Sequence, residues 1–136
     1  MATKKATKKP AAAASADPTI IDPRTGLEWS PTLGERVNWK TAKKVAKECR
    51  AGGHADWRLP TIEEQITLID FSRTSPAANT DLFPDMQSSW YWSATPLASS
   101  PGDYAWYVYF GNGNVSGNYQ GYTAFVRAVR GSRASQ

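Results

Sequence analysis

Apolar positions change their spacing along this chain, and each change marks an element. Ile20-Ile21 and Leu27-Glu28-Trp29 flank Asp22-Pro23-Arg24-Thr25-Gly26, where Pro and Gly are well placed for a turn, so a short strand pair is predicted. Ala42, Val45, Ala46 and Cys49 then recur at i, i+3, i+4 and i+7, the stripe of an amphipathic helix. Asn38 stands at its cap position and Gly52-Gly53 at its stop, which predicts a helix from Asn38 to about Arg50. Lys40, Lys43, Lys44 and Lys47 lie largely off that stripe, as on a solvated face, although such a face could also touch nucleic acid. A second helix follows Pro60, because Thr61-Ile62-Glu63-Glu64 spells a capping box with Glu64 reaching back to the Thr61 amide. Ile62, Ile66 and Ile69 share its expected buried face, and it should end near Phe71.

From Ser72 to Gln87 the Pro, Asn, Asp and Ser content describes a long loop. Everything after Ser88 reads as strand and turn. Trp106, Val108 and Phe110 alternate with Tyr107 and Tyr109, which predicts one buried face and one face showing tyrosines. Gly111 to Asn114 reads as a turn, Val115 to Tyr119 as a short strand and Phe125 to Arg130 as the last strand. Strands, two helices, a long loop and a β meander make an α+β domain.

Composition sharpens the outline. The 136 residues suffice for one domain and a modest appendage. Six Trp, six Tyr and four Phe can supply a core despite a mean hydropathy of −0.52. No apolar run approaches the roughly 20 residues needed to cross a bilayer, and no secretory signal pattern is seen. The net charge of +4 resides in Lys4, Lys5, Lys8 and Lys9, because the remaining 12 basic residues are matched by 12 acidic ones. Residues 1–17 thus read as a disordered basic Lys/Ala tail, 18–133 as the domain and 134–136 as a C-terminal tail. The lysines are either an electrostatic arm for phosphates, acidic protein or a particle interior, or simply a solubilising segment.

Several blocks have a more particular order. Asp56-Trp57-Arg58-Leu59-Pro60 is followed by Trp90-Tyr91-Trp92-Ser93, then by Ala105-Trp106-Tyr107-Val108-Tyr109-Phe110-Gly111, and finally by Phe125-Val126-Arg127-Ala128-Val129-Arg130. This order resembles the C-terminal domain of bacterial collagen-like adhesins, the Lcl C-terminal type, a branch of the C-type-lectin-like fold. The resemblance runs from about Ile20 to Gly131 and implies two helices packed on a twisted antiparallel sheet, with long loops. It also implies a domain that holds a ligand without transforming it. The Asp56–Pro60 block is then a fold signature, its Trp packing under the domain and its charged pair tying the loop.

Candidate chemistry is sparse. His54 is the only histidine and lacks an activated Ser or Cys pattern beside it, so it reads as a turn residue. One His and one Cys cannot make a standard zinc set. The resemblance implies a cysteine in the last strand to match Cys49, but Ala128 stands there. A bridge commonly worth about 2–5 kcal/mol is therefore missing, which points to a buried thiol facing a small alanine and to a reducing or non-secretory setting. Formylglycine-generating enzymes share the fold but use a cysteine pair that this chain lacks. Calcium ligand patterns of lectins (Glu-Pro-Asn, Gln-Pro-Asp, Trp-Asn-Asp) are also missing, and Asp81, Asp85 and Asp103 are scattered. No enzyme, cofactor or metal is expected. Asn114-Val115-Ser116 matches an N-glycosylation acceptor by coincidence.

What remains is a surface of Trp90, Tyr91, Tyr107, Tyr109, Asn112, Asn114, Asn118, Tyr119 and Tyr122. Tyr offers large rigid contact area and Asn adaptable hydrogen bonds; the plainer reading is that tyrosines fill a strand face and asparagines make turns. The expected function is a calcium-independent binding or adhesion module for a protein or glycan ligand, expected as a homo-oligomer. A phage virion, as tail adhesin or capsid decoration with the arm docked on the particle, is the expected location, and the cytoplasm the alternative. A nucleic-acid-associated protein acting through its lysine tail, or a self-associating particle stabiliser, are the other readings.

Overall fold

The computed structural model describes residues 17–131; the calls on Lys4, Lys5, Lys8, Lys9 and the C-terminal tail lie outside the described residues. The predicted strand pair forms: β1 (Ile20–Ile21) runs antiparallel to β2 (Glu28–Thr32). Gly26 closes the turn at φ +78°, a left-handed conformation that favours glycine. α1 (Trp39–Glu48) follows, with the Asn38 side chain accepting the Thr41 amide at 2.9 Å. Ala42, Val45, Ala46 and Cys49 are all buried, as their spacing predicts. The helix stops just before Cys49, and a 3-10 turn at Ala51–Gly53 leads out of it.

α2 (Ile62–Ile66) carries both capping-box bonds, Glu64 N–H to Thr61 Oγ1 at 3.1 Å and Thr61 N–H to Glu64 Oε1 at 2.9 Å. It is shorter than the periodicity suggests, and Ile66 faces water while Glu64 and Gln65 are buried. Both have partners there: the half-buried Arg58 pairs with Glu64, and Gln65 Nε2 donates to the Trp92 carbonyl at 2.7 Å. Phe71, 75 % exposed, lies against Gly113, where an added Cβ would come within 2.8 Å of its ring.

β3 (Trp90–Pro96), β4 (Tyr104–Tyr109) and β5 (Asn114–Tyr119) form an antiparallel meander in that order. β6 (Arg127–Arg130) does not extend it, but pairs with β2 to make a second three-stranded sheet, β1-β2-β6. The expected single sheet is thus two. The segment before β6 bridges them: Phe125 donates to the Trp90 carbonyl at 2.8 Å and accepts from the Trp92 amide at 3.0 Å. Arg58 exchanges both backbone bonds with Val129, which lays the Asp56–Pro60 block beside β6.

Asp56 and Arg58 do not bind one another, contrary to the expected tie within the block. Asp56 meets Arg130 at 2.6 Å and Arg58 meets Glu64 at 2.7 Å. Trp57 is buried as expected, its indole donating to the Ala51 carbonyl at 3.1 Å.

Core packs on both faces of the meander. One cluster joins Trp92, Ala105 and Tyr107 to α1 and Trp57; the other joins Tyr91, Val108 and Phe110 to Trp29, Ile62, Leu68 and Phe83. The long loop is held by Arg127, which is fully buried. Its guanidinium donates to Asp85 Oδ1 at 2.6 Å, to the Ser30 carbonyl at 2.7 Å and to Thr32 Oγ1 at 3.1 Å. Burial pushes the Asp85 carboxyl up, but the Arg127 charge and its hydrogen bond outweigh that and leave it below its ordinary value of 3.8.

Candidate functional site

β-Strand alternation sends Trp90 and Tyr91 to opposite faces of the meander. Tyr91 is therefore a correction to the expected surface: it is fully buried. Its hydroxyl accepts from the Gln87 amide at 2.9 Å and lies 2.9 Å from Thr32 Oγ1, so it anchors the loop to β2. Tyr107 is a second correction. Only 8 % of it is exposed, because its ring is stacked on Trp90 (centroids 4.0 Å, 20° between planes) and on Trp92 (5.2 Å, 29°). Core on both faces of the meander leaves no fully solvated side for Tyr107 and Tyr109.

Four of the expected residues nevertheless meet. Trp90 from β3, Tyr107 from β4, Asn118 from β5 and Tyr122 from the connection to β6 line one open concavity of about 460 Å³, completed by Gly121 and Thr123. No charged side chain lines it. The Trp90 ring forms the step to Tyr109, which is half-buried at 4.9 Å centroid separation. Tyr122 hands the surface on to Tyr119 (5.9 Å, edge to face) and Tyr119 to Tyr104 (6.1 Å). Those three are 61 %, 49 % and 40 % exposed, so the outward aromatic set sits at one end of the sheet.

Asn112 and Asn114 are exposed but do not line the concavity; Asn112 instead accepts the Asn114 amide at 3.0 Å in the β4–β5 turn. Here the plainer reading of asparagine as a turn residue holds. Gly121, Thr123 and Tyr104 were missed by sequence reasoning. The only signal for Gly121 is its place between two tyrosines: an added Cβ would sit 2.5 Å from the Tyr119 ring.

Polar geometry inside the concavity is specific. Asn118 Oδ1 accepts the Tyr119 amide at 2.8 Å, which turns its Nδ2 toward the Tyr107 hydroxyl at 2.6 Å. Burial pushes the Tyr107 phenol above its ordinary value of 10.0, the Asn118 bond opposes that, and the neighbouring Tyr122 adds to the rise. Tyr107 therefore stays protonated across the physiological range.

Other places in the fold carry less. Between α1 and the Asp56–Pro60 block lies a hollow of about 480 Å³ lined by Lys43, Lys47, Trp57, Arg58, Leu59, Thr61 and Ala94. Lys43 rests 3.7 Å from the Trp39 ring centroid. Cys49 and Ala128 are both buried in one cluster. His54 lies 3.8 Å from Glu28. Among the described residues, no three His, Cys, Asp or Glu side chains gather as a metal set, and no helix is long and apolar enough to cross a membrane.

The domain is small and α+β, and this open concavity is aromatic, amide-bearing and uncharged. The chain belongs to the Lcl C-terminal domain family, which it matches over residues 18–130. That family is a non-enzymatic, adhesin-type domain, and membership suggests an adhesin-like binding module. No curated protein matches the chain.

Proposed function

We propose that the chain is a non-catalytic adhesion module of C-type-lectin-like fold, which holds a protein or glycan ligand against Trp90, Tyr107, Asn118 and Tyr122. One observation carries this reading: side chains from four separate segments converge on a single uncharged concavity of about 460 Å³. Tyr119 and Tyr104 continue it as an exposed aromatic margin. Rings held by stacking lose little entropy when a ligand arrives, while the amide and hydroxyls supply direction. Lys4, Lys5, Lys8 and Lys9 serve in this reading as a separate arm that docks on a larger assembly, such as a virion.

The test compares three forms of the chain on target-cell surfaces and glycan arrays: complete, lacking residues 1–16, and Tyr122→Ala. Ligand retention should survive removal of the lysine segment and fall by about tenfold or more with Tyr122→Ala, the scale of an aromatic contact residue. Retention that vanishes with the lysine segment and collapses steeply with salt would instead favour a nucleic-acid or polyanion role for the tail.

A further inference from the structure

We infer that β5 is a pairing edge for a second copy of this chain, the two strands running antiparallel about a two-fold axis at Ser116. The hydrogen bonds of the meander show which backbone groups face outward. Phe125 donates its amide to the Trp90 carbonyl and accepts the Trp92 amide. Trp90 and Trp92 therefore bond away from β4, and Tyr91 between them bonds toward it, to Val108. Tyr107 and Tyr109, on either side of Val108, then bond to Ser116 and Asn114 of β5. That leaves Val115, Gly117 and Tyr119 with their N–H and C=O turned to the outside. Tyr119 is closed there, its amide donating to Asn118 Oδ1 and its carbonyl accepting the Tyr122 amide. The Val115 amide and carbonyl and the Gly117 amide have no further protein partner among the described residues, and the Gly117 carbonyl takes only the Ser116 hydroxyl at 3.3 Å.

Solitary edges are commonly blunted by charge, proline or a bulge. Asn114-Val115-Ser116-Gly117-Asn118-Tyr119 contains no charged residue and no proline, and its register with β4 is unbroken. Apolar groups accompany the open edge. Alternation puts Val115, Gly117 and Tyr119 on one face of the sheet. On that face Leu97 covers Gly117, where an added Cβ would come within 3.0 Å of it. At the start of the strand Phe71 covers Gly113, beside Ile69, which shares a core cluster with Val115. Phe71 and Tyr119 are both exposed.

A second copy is the occupant because the edge complements itself. Antiparallel pairing about Ser116 sets Val115 of one copy opposite Gly117 of the other, so the open amides of each meet carbonyls. Gly113 and Tyr119 stand three positions to either side of Ser116. The same axis therefore brings Tyr119 of each copy over Gly113 of the other, against its Phe71. One operation covers both exposed rings and both open edges. Ser116 is small, as the close approach of a non-hydrogen-bonded pair at the axis requires, with Cα atoms about 4.5 Å apart. The concavity stays open, because Tyr107, Ser116 and Asn118 share the opposite face, and both copies present it to the same side. A contact this short buries less than about 1,200 Å², so the pair dissociates on dilution and leaves Tyr119 open in the dilute chain.

Sedimentation of the complete chain, from micromolar to millimolar concentration, should show a monomer–dimer equilibrium. Ser116→Cys gives the geometric test. Mild oxidation should link two copies through it, since Cα atoms at that spacing suit a disulfide, and the native Cys49 is buried. Asn112→Cys, at an exposed position in the neighbouring turn, is the control and should link far more slowly. Phe71→Glu removes one covered ring, and Ser116→Lys sets like charges face to face at the axis. Each should raise the dimer dissociation constant by about tenfold or more, with unfolding midpoints confirming that the variants are folded. The inference is overturned if the chain stays monomeric at the highest concentration or forms trimers without a dimer. It is equally overturned if Ser116→Cys links no faster than Asn112→Cys, or if Phe71→Glu and Ser116→Lys dimerise as wild type does.

Discussion

The two sheets are held together by different chemistry. β1-β2-β6 is laced with charge: Arg127 to Asp85, Arg130 to Glu28 and Asp56, and, from the block beside β6, Arg58 to Glu64. The meander β3-β4-β5 is held by rings, with Trp90, Trp92, Tyr107 and Tyr109 stacked on one face and Tyr91 and Phe110 edge-to-face on the other. Ion pairs at defined distances fix the loops and the last strand. Stacked rings hold their sheet, and at its edge the Asn118 amide bonds the Tyr107 hydroxyl and the Tyr119 amide. One sheet is fastened by ion pairs, the other by ring contacts that run on into the exposed Tyr104, Tyr119 and Tyr122.

Substitutions of buried side chains in either sheet should cost stability, and those at the exposed aromatic margin of the second should cost binding. Arg127→Ala has the largest expected effect: it leaves Asp85 and the Ser30 carbonyl without their buried partner, and should lower unfolding free energy by about 3–5 kcal/mol in urea titrations. Tyr91→Phe removes the hydroxyl that satisfies the Gln87 amide and should cost about 1–3 kcal/mol by the same titration. Thr61→Ala deletes one half of the capping box, a loss of about 1 kcal/mol. Tyr122→Ala, at an exposed position, should stay within about 0.5 kcal/mol of wild type in stability. Its cost falls on ligand retention instead.

Acid should separate the sheets as well. In Asp85 and Glu64, burial raises the carboxyl pKa, and the arginine partners with their hydrogen bonds more than reverse it, so both lie below ordinary values of 3.8 and 4.5. The folded state binds these protons less readily than the unfolded chain does. Their contribution is present above the ordinary values and is lost as pH falls through the folded ones. Unfolding midpoints measured from pH 6 downward should therefore drop below about pH 4, and less so in Glu64→Gln, which no longer has that carboxylate to protonate.

Local signals in the sequence predicted local structure well. The Asn38 cap, the Thr61–Glu64 box, the turn at Gly26 and the stripe from Ala42 to Cys49 each concern residues within a few positions of one another, and each is present. What alternation could not reveal is which face meets water. It separates Trp90 from Tyr91 and Val108 from Tyr107, but both faces of the meander carry core, so Tyr91 and Tyr107 are enclosed. Ile66 misleads in the opposite sense, because Arg58, six residues before Glu64, and the Trp92 carbonyl, 27 residues beyond Gln65, make burial of Glu64 and Gln65 favourable. Gly121 and Thr123 enter the concavity only through the path of the β5–β6 connection, which no periodicity encodes.

Tyrosine nitration read by mass spectrometry, on the chain alone and on the chain bound to its target surface, tests the division between fastening and offering most directly. The exposed Tyr119 and Tyr122 should react in the chain alone and be protected on binding, while Tyr91 stays unreactive in both. Tyr119 and Tyr122 reacting equally in the bound state would contradict the assignment of recognition to the aromatic sheet.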